Sequence, residues 1–333
     1  MTTQAPSQAN LIPQPSLIQR ARVLILSREG ILFIIMLVAV ALLSSQNDNF
    51  FTSSNLLNQL RLLTEVGLVA LPMTYIIITG GIDLSVGSIF GLAAIVLGYT
   101  WQTLGFPLPL AIVTALVVGM LSGFINGYFI TRVKVPPLIM TLATLAFYRG
   151  LAEGISRGRS ATGYPEWFYV FGQGDFWGIP TQIWLLLISV VLAGIVLART
   201  TFGRTLYAIG NNETGARFSG LPVSRYVLLI YTFSGFMSAL AGALFVSRVS
   251  TTRSDMGSGL ELDVIAAVVL GGTSIFGGTG SITGTIIGMV LIQLLKNGLA
   301  LSGVTSDATI IIIGLVVVFS ILINNWVQGR QQS

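Results

Sequence analysis

Long apolar runs separated by short polar connections fill the chain from residue 30 onward. A helix that crosses a membrane needs about 20 predominantly apolar residues. The runs therefore predict an all-α polytopic membrane protein with about ten transmembrane helices. The predicted spans cover residues 30–46, 64–79, 85–102, 108–131, 136–153, 182–199, 226–247, 261–277, 281–299 and 308–326.

Polar sequence flanks this region at both ends. Residues 1–29 are rich in Gln, Pro and Ser, which predicts a disordered N-terminal tail, and residues 328–333 form a short C-terminal tail. Between them we expect a single transmembrane domain over residues 30–327. Arg and Lys accumulate in the N-terminal tail and in the connections that follow the even-numbered spans. This bias predicts that both termini lie in the cytoplasm.

Two of the predicted spans are short and end in paired glycines, at residues 80–81 and 271–272. Each pair is followed by the pattern Gly-Ser-Ile-x-Gly, at residues 87–91 and 280–284, which suggests two related halves. A broken helix in a bilayer must be shielded by protein, line a wet cavity or lie at the membrane edge. Short, glycine-interrupted segments in corresponding halves are typical of transport sites. We therefore expect glycine-broken helices in both halves.

Polar residues accompany these breaks. Asp83 and Ser85 follow the first glycine pair, Thr273 follows the second, and Asn126 lies in an otherwise apolar span. Ionisable and polar groups inside membrane segments are costly and usually functional. We predict that these four residues line a translocation pathway. Two alternatives stay open: a simple turn at the membrane surface around Asp83, and an interhelical hydrogen bond at Asn126.

Composition narrows the possible functions. Of the 333 residues, 53% are hydrophobic and only 9% are charged, whereas soluble domains carry about 25% charged residues. The formal charge of +5 is spread over many connections, so we expect no nucleic-acid partner. The chain has no His and no Cys. Neither a Ser-His-Asp triad nor a thiolate metal site can form, and we expect no enzyme activity, no metal and no cofactor.

The energy source for transport must lie outside this chain. Its two lysines, Lys134 and Lys296, do not stand in the Gly-Lys-Ser/Thr context of a nucleotide-binding loop. Proton-coupled transporters usually carry acids or histidines deep in their spans, and only Asp83 is placed to be deep. The chain therefore depends on a separate ATPase or, as an alternative, is a secondary transporter driven by an ion gradient.

The longest cytoplasmic connection, residues 198–225, predicts a short capped helix. Asn211 or Asn212 can cap its start, Glu213 suits the first turn, and Gly220 can end it. Such a helix has little of its own chain to pack on, and a helix lying on anionic lipid would need more basic residues. We predict that it docks a soluble partner. The docking residues we expect are Gly210, Asn211, Glu213, Arg217 and Gly220.

Two connections are predicted on the opposite side of the membrane. Residues 156–181 are rich in Tyr, Trp and Phe, which fits a belt at the lipid interface, although a partner could also contact them. Residues 248–263 place Arg253 and Asp255 on a frame of Gly and Ser. We expect these two charges to recognise a polar solute or a partner.

Four stretches give the chain a resemblance to a known family. Together they resemble the integral-membrane permeases of ATP-driven importers for ribose and other simple sugars, a family that includes the autoinducer importers. The match follows the order of the family over nearly the whole membrane region. The stretches are residues 78–88 (ITGGIDLSVGS), 126–144 (NGYFITRVKVPPLIMTLAT), 202–220 (FGRTLYAIGNNETGARFSG) and 261–285 (ELDVIAAVVLGGTSIFGGTGSITGT).

The resemblance implies a permease subunit in a bacterial inner membrane. Its partners would be a second permease subunit, identical or paralogous, two cytoplasmic ATPase subunits, an extracytoplasmic sugar-binding protein and the membrane lipid. The connection around Glu213 and Gly220 would be the coupling helix that seats in the ATPase. Thr279 stands where the family commonly has a basic residue, and residues 306–309 lack its usual aromatic pair with Gln, which leaves the identity of the sugar open.

A third possible function is a membrane scaffold without transport, but such a protein would not need the paired glycine breaks.

Overall fold

The computed structural model of the protein describes residues 28–316 and residue 318. Most of the predicted N-terminal tail, the predicted C-terminal tail and the last part of the predicted span 308–326 lie outside these residues. The described helices are α1 (Arg28–Gln46), α2 (Ser53–Ile78), α3 (Val86–Gln102), α4 (Leu108–Tyr128), α5 (Pro137–Ser156), α6 (Glu166–Gln173), α7 (Thr181–Arg199), α8 (Thr201–Asn211), α9 (Glu213–Phe218), α10 (Val223–Val249), α11 (Leu260–Leu270), α12 (Ile282–Leu301) and α13 (Ser306–Val316). A π-helical turn, Phe129–Val133, extends α4, and strands β1 (Asp175–Phe176) and β2 (Ile179–Pro180) pair antiparallel between α6 and α7.

The predicted helical membrane architecture is present in the described part of the chain. Six helices are long and apolar enough to cross a membrane: α2, α4 with its π-helical turn, α5, α7, α10 and α12. Helices α1, α3 and α13 contain or form shorter apolar segments. Helix α11 has only 11 residues, so the segment before the second glycine pair is short, as the sequence indicates.

The segment before the first glycine pair is not short, which corrects the predicted span 64–79. Helix α2 begins at Ser53 and has 26 residues. Its first turns carry amides and an arginine, which lower the local hydropathy. Tertiary contacts stabilise them: Asn55 and Asn297 of α12 exchange two hydrogen bonds of 2.8 and 2.9 Å, and the Gln293 amide donates to the Gln59 carbonyl oxygen at 2.7 Å. Polar pairs of this kind hold membrane helices in register.

Helix α2 runs through the centre of the bundle. It packs against α7, α10, α11 and α12, and its side chains from Gly67 to Ile78 are buried. Glu65 on α2 forms a bidentate ion pair with Arg248 at the end of α10, with N–O distances of 2.7 and 3.1 Å. This pair neutralises a charge near the predicted span end, where an unpaired buried charge would be costly.

Helices α4 and α10 cross at a contact made of glycines. A side chain at Gly119 or Gly123 would collide with the backbone of α10 around Gly235. Small residues let membrane helices approach until their backbones touch. This contact holds α10 against α4 while its opposite side contacts α2 and α3.

The helices define two ends of the bundle. At the first, called the break end, α2 finishes at Ile78 beside α8 and the connection between α11 and α12. At the other, called the loop end, the connection 157–165 and helix α6 lie against the end of α10 and against Thr252.

Candidate functional site

The first glycine break separates α2 from α3 with a tight turn. The backbone N–H groups of Thr79, Gly80 and Gly81 donate to carbonyls of the last turn of α2, and Gly80 has φ +81°. That left-handed conformation favours glycine, which explains its place directly after the helix. The turn leaves Asp83 between the two helices, with α3 beginning at Val86.

Asp83 is the centre of a buried polar cluster, called the Asp83 cluster, that also contains Ser85, Asn126 and Ser234. One carboxylate oxygen of Asp83 accepts from the Ser85 N–H at 3.0 Å and from its hydroxyl at 2.6 Å. The other accepts from the Ser234 hydroxyl at 3.0 Å, and the Asn126 amide donates to the Ser85 hydroxyl at 2.8 Å. All four side chains are fully buried. The cluster therefore joins the first break to α4 and α10.

The structure brings three of the four predicted pathway residues together and leaves Thr273 apart. The Thr273 hydroxyl is buried without a hydrogen-bond partner in the described part of the chain, against Gly280 across the second break. In this conformation the Asp83 cluster is closed, and its donors and acceptors satisfy one another. The sequence did not single out Ser234, whose only signal was a hydroxyl inside an apolar span. The pathway assignment stays a prediction.

The two glycine breaks meet at one point, called the junction, formed by Ile78, Gly210, Gly277, Gly278 and Gly280. The Gly278 N–H donates to the Ile78 carbonyl at 2.9 Å, which connects the second break to the end of α2. Gly210 of α8 lies against both partners of that bond, and a side chain there would collide with them. Three segments distant in sequence therefore approach until their backbones touch.

Tyr207 adds a side-chain contact at the junction. Its hydroxyl donates to the Gly280 carbonyl at 2.7 Å. Burial raises the pKa of the Tyr207 hydroxyl above its usual value, so the group keeps its proton and remains a donor at neutral pH. One face of α8 is thus fixed to the second break by this bond and to the first by the Gly210 contact.

Beyond the junction, the predicted docking segment contains two helices, α8 and α9, where the sequence predicted one. Asn212 caps α9 by accepting from the Gly215 N–H at 2.8 Å, and Glu213 pairs with Arg217 one turn later. Gly220 has φ +80°, as expected for the residue that ends the helix. Glu213 and Arg217 are paired with each other but exposed, so a partner protein can contact both. Of the five predicted docking residues, two contact the junction: Gly210 through its backbone and Asn211, which lies beside Gly278.

Arg253 and Asp255 form an ion pair at the loop end. Their side chains are 63% and 60% exposed, and the guanidinium donates to both carboxylate oxygens at 2.6 and 3.0 Å. An exposed pair of this kind adds little stability. The structure therefore agrees both with a local turn contact and with a contact to a partner.

Comparison with known proteins identifies the family. A family model described as "Branched-chain amino acid transport system / permease component" matches residues 55–321. The ribose import permease protein of Bacillus subtilis (strain 168) is 42% identical over 295 residues, which cover 88% of this chain and 91% of that protein. The corresponding ribose permease of Escherichia coli (strain K12) is 38% identical, covering 88% and 92% of the two chains.

An autoinducer 2 import system permease protein of Escherichia coli O9:H4 (strain HS) is 39% identical over 273 residues, which cover 80% of this chain and 82% of that protein. No solved structure matches the chain. The resemblance carried by the four stretches is confirmed. The chain belongs to the family of branched-chain amino acid transport system permease components, and the relatives it resembles are permeases of importers.

Proposed function

We propose that the protein is the permease subunit of an ATP-driven importer of a simple sugar or a related small polyol. Its similarity to permeases named for ribose and autoinducer 2 import supports this class of solute. The observation that carries the proposal is the junction. An exposed segment suited to docking, α8–α9, contacts the ends of both broken helices directly. Movement imposed on it by a partner would reach both breaks.

The arrangement in the membrane is part of this proposal. The six long apolar helices, together with α1, α3, α11 and α13, provide ten segments, and the Lys and Arg bias supports cytoplasmic termini in a bacterial inner membrane. The break end then faces the cytoplasm, where two ATPase subunits would dock on α8–α9. A second permease subunit would complete the membrane unit. The meeting of both breaks at the junction supports two related halves.

We place the solute path along the Asp83 cluster and Thr273. The cluster is closed here, so it must open during the cycle if solute is to contact it. Because the chain has no Cys, single cysteines at Asp83, Ser85, Asn126 and Thr273 can be probed with a soluble thiol reagent. Labelling should increase in one nucleotide state of the assembled transporter. Labelling that ignores both solute and nucleotide at all four positions would remove them from the path.

The external partner would be a solute-binding protein that contacts the loop end. Arg253 and Asp255 are exposed there on a flexible frame, and charges at an interface rim mainly affect encounter rate and specificity. If a docked partner contacts the two charges, exchanging Arg253 and Asp255 should therefore change uptake. If they form only a local turn contact, the exchange should leave uptake unchanged.

The direct test is uptake by a reconstituted transporter. The permease and its ATPase subunits are reconstituted in liposomes with ATP inside. Ribose-binding protein and labelled ribose are added outside, and ribose uptake is measured. We expect uptake that requires ATP and persists when ionophores abolish ion gradients. Uptake by the permease alone, driven by an imposed ion gradient, would instead support a secondary transporter.

A further inference from the structure

A large cavity opens at the loop end between α3 and α5, at a place that the proposed function does not use. Its volume is about 980 Å³, which is within the range of roughly 300–1,000 Å³ typical of small-molecule sites. It is lined by the end of α3, the end of α5, the connection that follows α5, and Thr252. A smaller cavity of about 250 Å³ lies beside it, next to Arg253 and Asp255.

The lining of the large cavity combines hydrogen-bonding groups with an apolar surface. Its polar members are Gln102, Thr103, Ser156, Arg157, Arg159, Ser160 and Thr252. Its apolar members come chiefly from α3 and include Ile95, Val96 and the ring of Tyr99. Guanidinium, amide and hydroxyl groups bind the oxygens of a sugar, while the apolar wall suits its C–H face. No carboxylate is among the lining residues.

Glycine and an unusual backbone turn keep this space open. Gly154 lies in the wall on α5, and a side chain there would meet no atom within 4 Å. Helix α5 ends at Ser156; Arg157, which caps it, has φ +50°, and Gly158 follows with φ +72°. A left-handed conformation is uncommon for a residue other than glycine, and such residues cluster at functional sites. The turn directs the chain away from the helix axis and leaves Arg157 and Arg159 at the cavity.

Fixed backbone contacts form the wall opposite α5. Thr252 is buried and exchanges two hydrogen bonds with Ala161, of 2.9 and 3.1 Å. From there the chain follows α3 inward, with Met256 beside Gly91 and Gly257 beside Gly87. Gly87 lies only four residues from Asp83. The connection between α10 and α11 therefore leads from the cavity toward the Asp83 cluster.

Arg149 holds this connection in place. Its guanidinium donates to the carbonyls of Ser254 and Met256, the second at 2.8 Å, although it lies in the apolar helix α5. Irregular backbone inside a membrane bundle needs such partners, because no water satisfies its polar groups. Arg149 and the Thr252–Ala161 hydrogen bonds thus hold the connection that begins at the cavity wall.

We propose that this cavity is where the importer receives its solute, a polyhydroxylated molecule of monosaccharide size, with Arg157, Arg159 and Ser160 as hydrogen-bonding groups. The proposal rests on the proposed function, since it assigns a place to that solute. A binding protein docked at Arg253 and Asp255 would release its ligand directly beside this space. The two arginines would also attract an anionic lipid headgroup, which the experiment distinguishes from a sugar.

The first test fills the cavity. Gly154→Phe places a ring in the open space. Gly194→Phe on α7 is the matched control, since Gly194 is also a helical glycine at which an added Cβ would meet no atom within 4 Å outside its own helix backbone. In the reconstituted complex with ribose and its binding protein, we expect the first variant to lose at least tenfold in uptake. The control should stay within twofold of the unsubstituted protein. Equal uptake by both variants would overturn the proposal.

The second test measures occupancy and does not depend on the bulky variant. Ser160→Cys gives a single thiol at the cavity, since the chain has no other cysteine. Its reaction with a soluble thiol reagent should be at least threefold slower with ribose-loaded binding protein than with the same concentration of ribose-free binding protein. Slowing by phosphatidylglycerol vesicles without ribose, or no slowing at all, would overturn the assignment.

An Arg159→Gln variant separates binding from folding. The lost charge-assisted hydrogen bonds should raise the KM for ribose-loaded binding protein by about tenfold or more, with normal membrane insertion. An unchanged KM would argue against the site. If the unsubstituted complex imports no simple sugar, the proposed function fails first. If it imports ribose and these variants behave normally, only the cavity assignment fails.

Discussion

Replacing Gly210 by Ala tests whether the junction couples the docking segment to both breaks. The new methyl group would collide with the Ile78 carbonyl oxygen and lie 2.5 Å from the Gly278 nitrogen, where ordinary contact begins at 3.4 Å. To reach ordinary contact at 3.4 Å the Gly278 nitrogen, now at 2.5 Å, would have to move by 0.9 Å, and the Ile78 carbonyl oxygen would have to move farther. Helix propensity alone predicts the opposite sign, because Ala is favoured over Gly in a helix by roughly 0.5–1 kcal/mol.

The size of the effect follows from the contacts that separation removes. The hydrogen bond of 2.9 Å between Gly278 and Ile78 would be lost, and a buried group left unsatisfied costs about 1–3 kcal/mol. Overpacking adds roughly 1–3 kcal/mol. The closed junction should therefore be destabilised by about 2–6 kcal/mol, less the gain in propensity. The net cost is then at least about 1 kcal/mol, and since about 1.4 kcal/mol is a factor of ten, its population should fall at least about fivefold.

The assay is the number of ribose molecules imported per ATP hydrolysed by the reconstituted complex. We expect Gly210→Ala to lower this ratio at least about fivefold while the ATPase subunits still bind and hydrolyse ATP. Gly215→Ala is the control: it lies in the same docking segment, but its methyl group would meet only the Asn212 side chain, at 3.2 Å or more. It should keep the normal ratio. A normal ratio with Gly210→Ala would refute the coupling role of the junction.

Three further predictions concern other contacts. Gly220→Val should reduce uptake with normal membrane insertion, because Val resists the φ of +80° that ends the docking segment; unimpaired uptake and ATPase assembly would contradict this. Exchanging Arg253 and Asp255 should slow uptake at limiting binding protein and in a salt-dependent way, whereas full uptake would leave only a local turn contact. Glu65→Leu should lower the free energy of unfolding in detergent by about 3–5 kcal/mol, because Arg248 then stays largely buried without its partner. Adding Arg248→Met should restore most of that stability, and equal stability of the single and double variants would contradict the reasoning.

Local sequence determined most of the helices, some of their ends and the glycine breaks. Apolar runs located the membrane helices because lipid requires each span to satisfy its own backbone. Asn212 and Gly220 marked the limits of the docking helix, since capping and left-handed turns depend on a few adjacent residues. The glycine pairs at residues 80–81 and 271–272 indicated interrupted helices. The family also followed from the sequence, because its motifs are contiguous.

Tertiary structure decided what the breaks and the polar residues contact. The sequence suggested the start of α2 near residue 64, yet Asn55 and Gln59 extend it to Ser53, because their partners lie more than 230 residues away in α12. No local pattern could show that Ser234 would meet Asp83.

The cavity beside Gly154 and the junction at Gly210 arise for the same reason. Both depend on a missing side chain, which lets segments touch at Gly210 and leaves open space at Gly154, and a glycine in the sequence does not say what lies opposite it. Local patterns fix the elements because their hydrogen bonds close within a few residues. The site depends on contacts between elements, which only the packed bundle brings together.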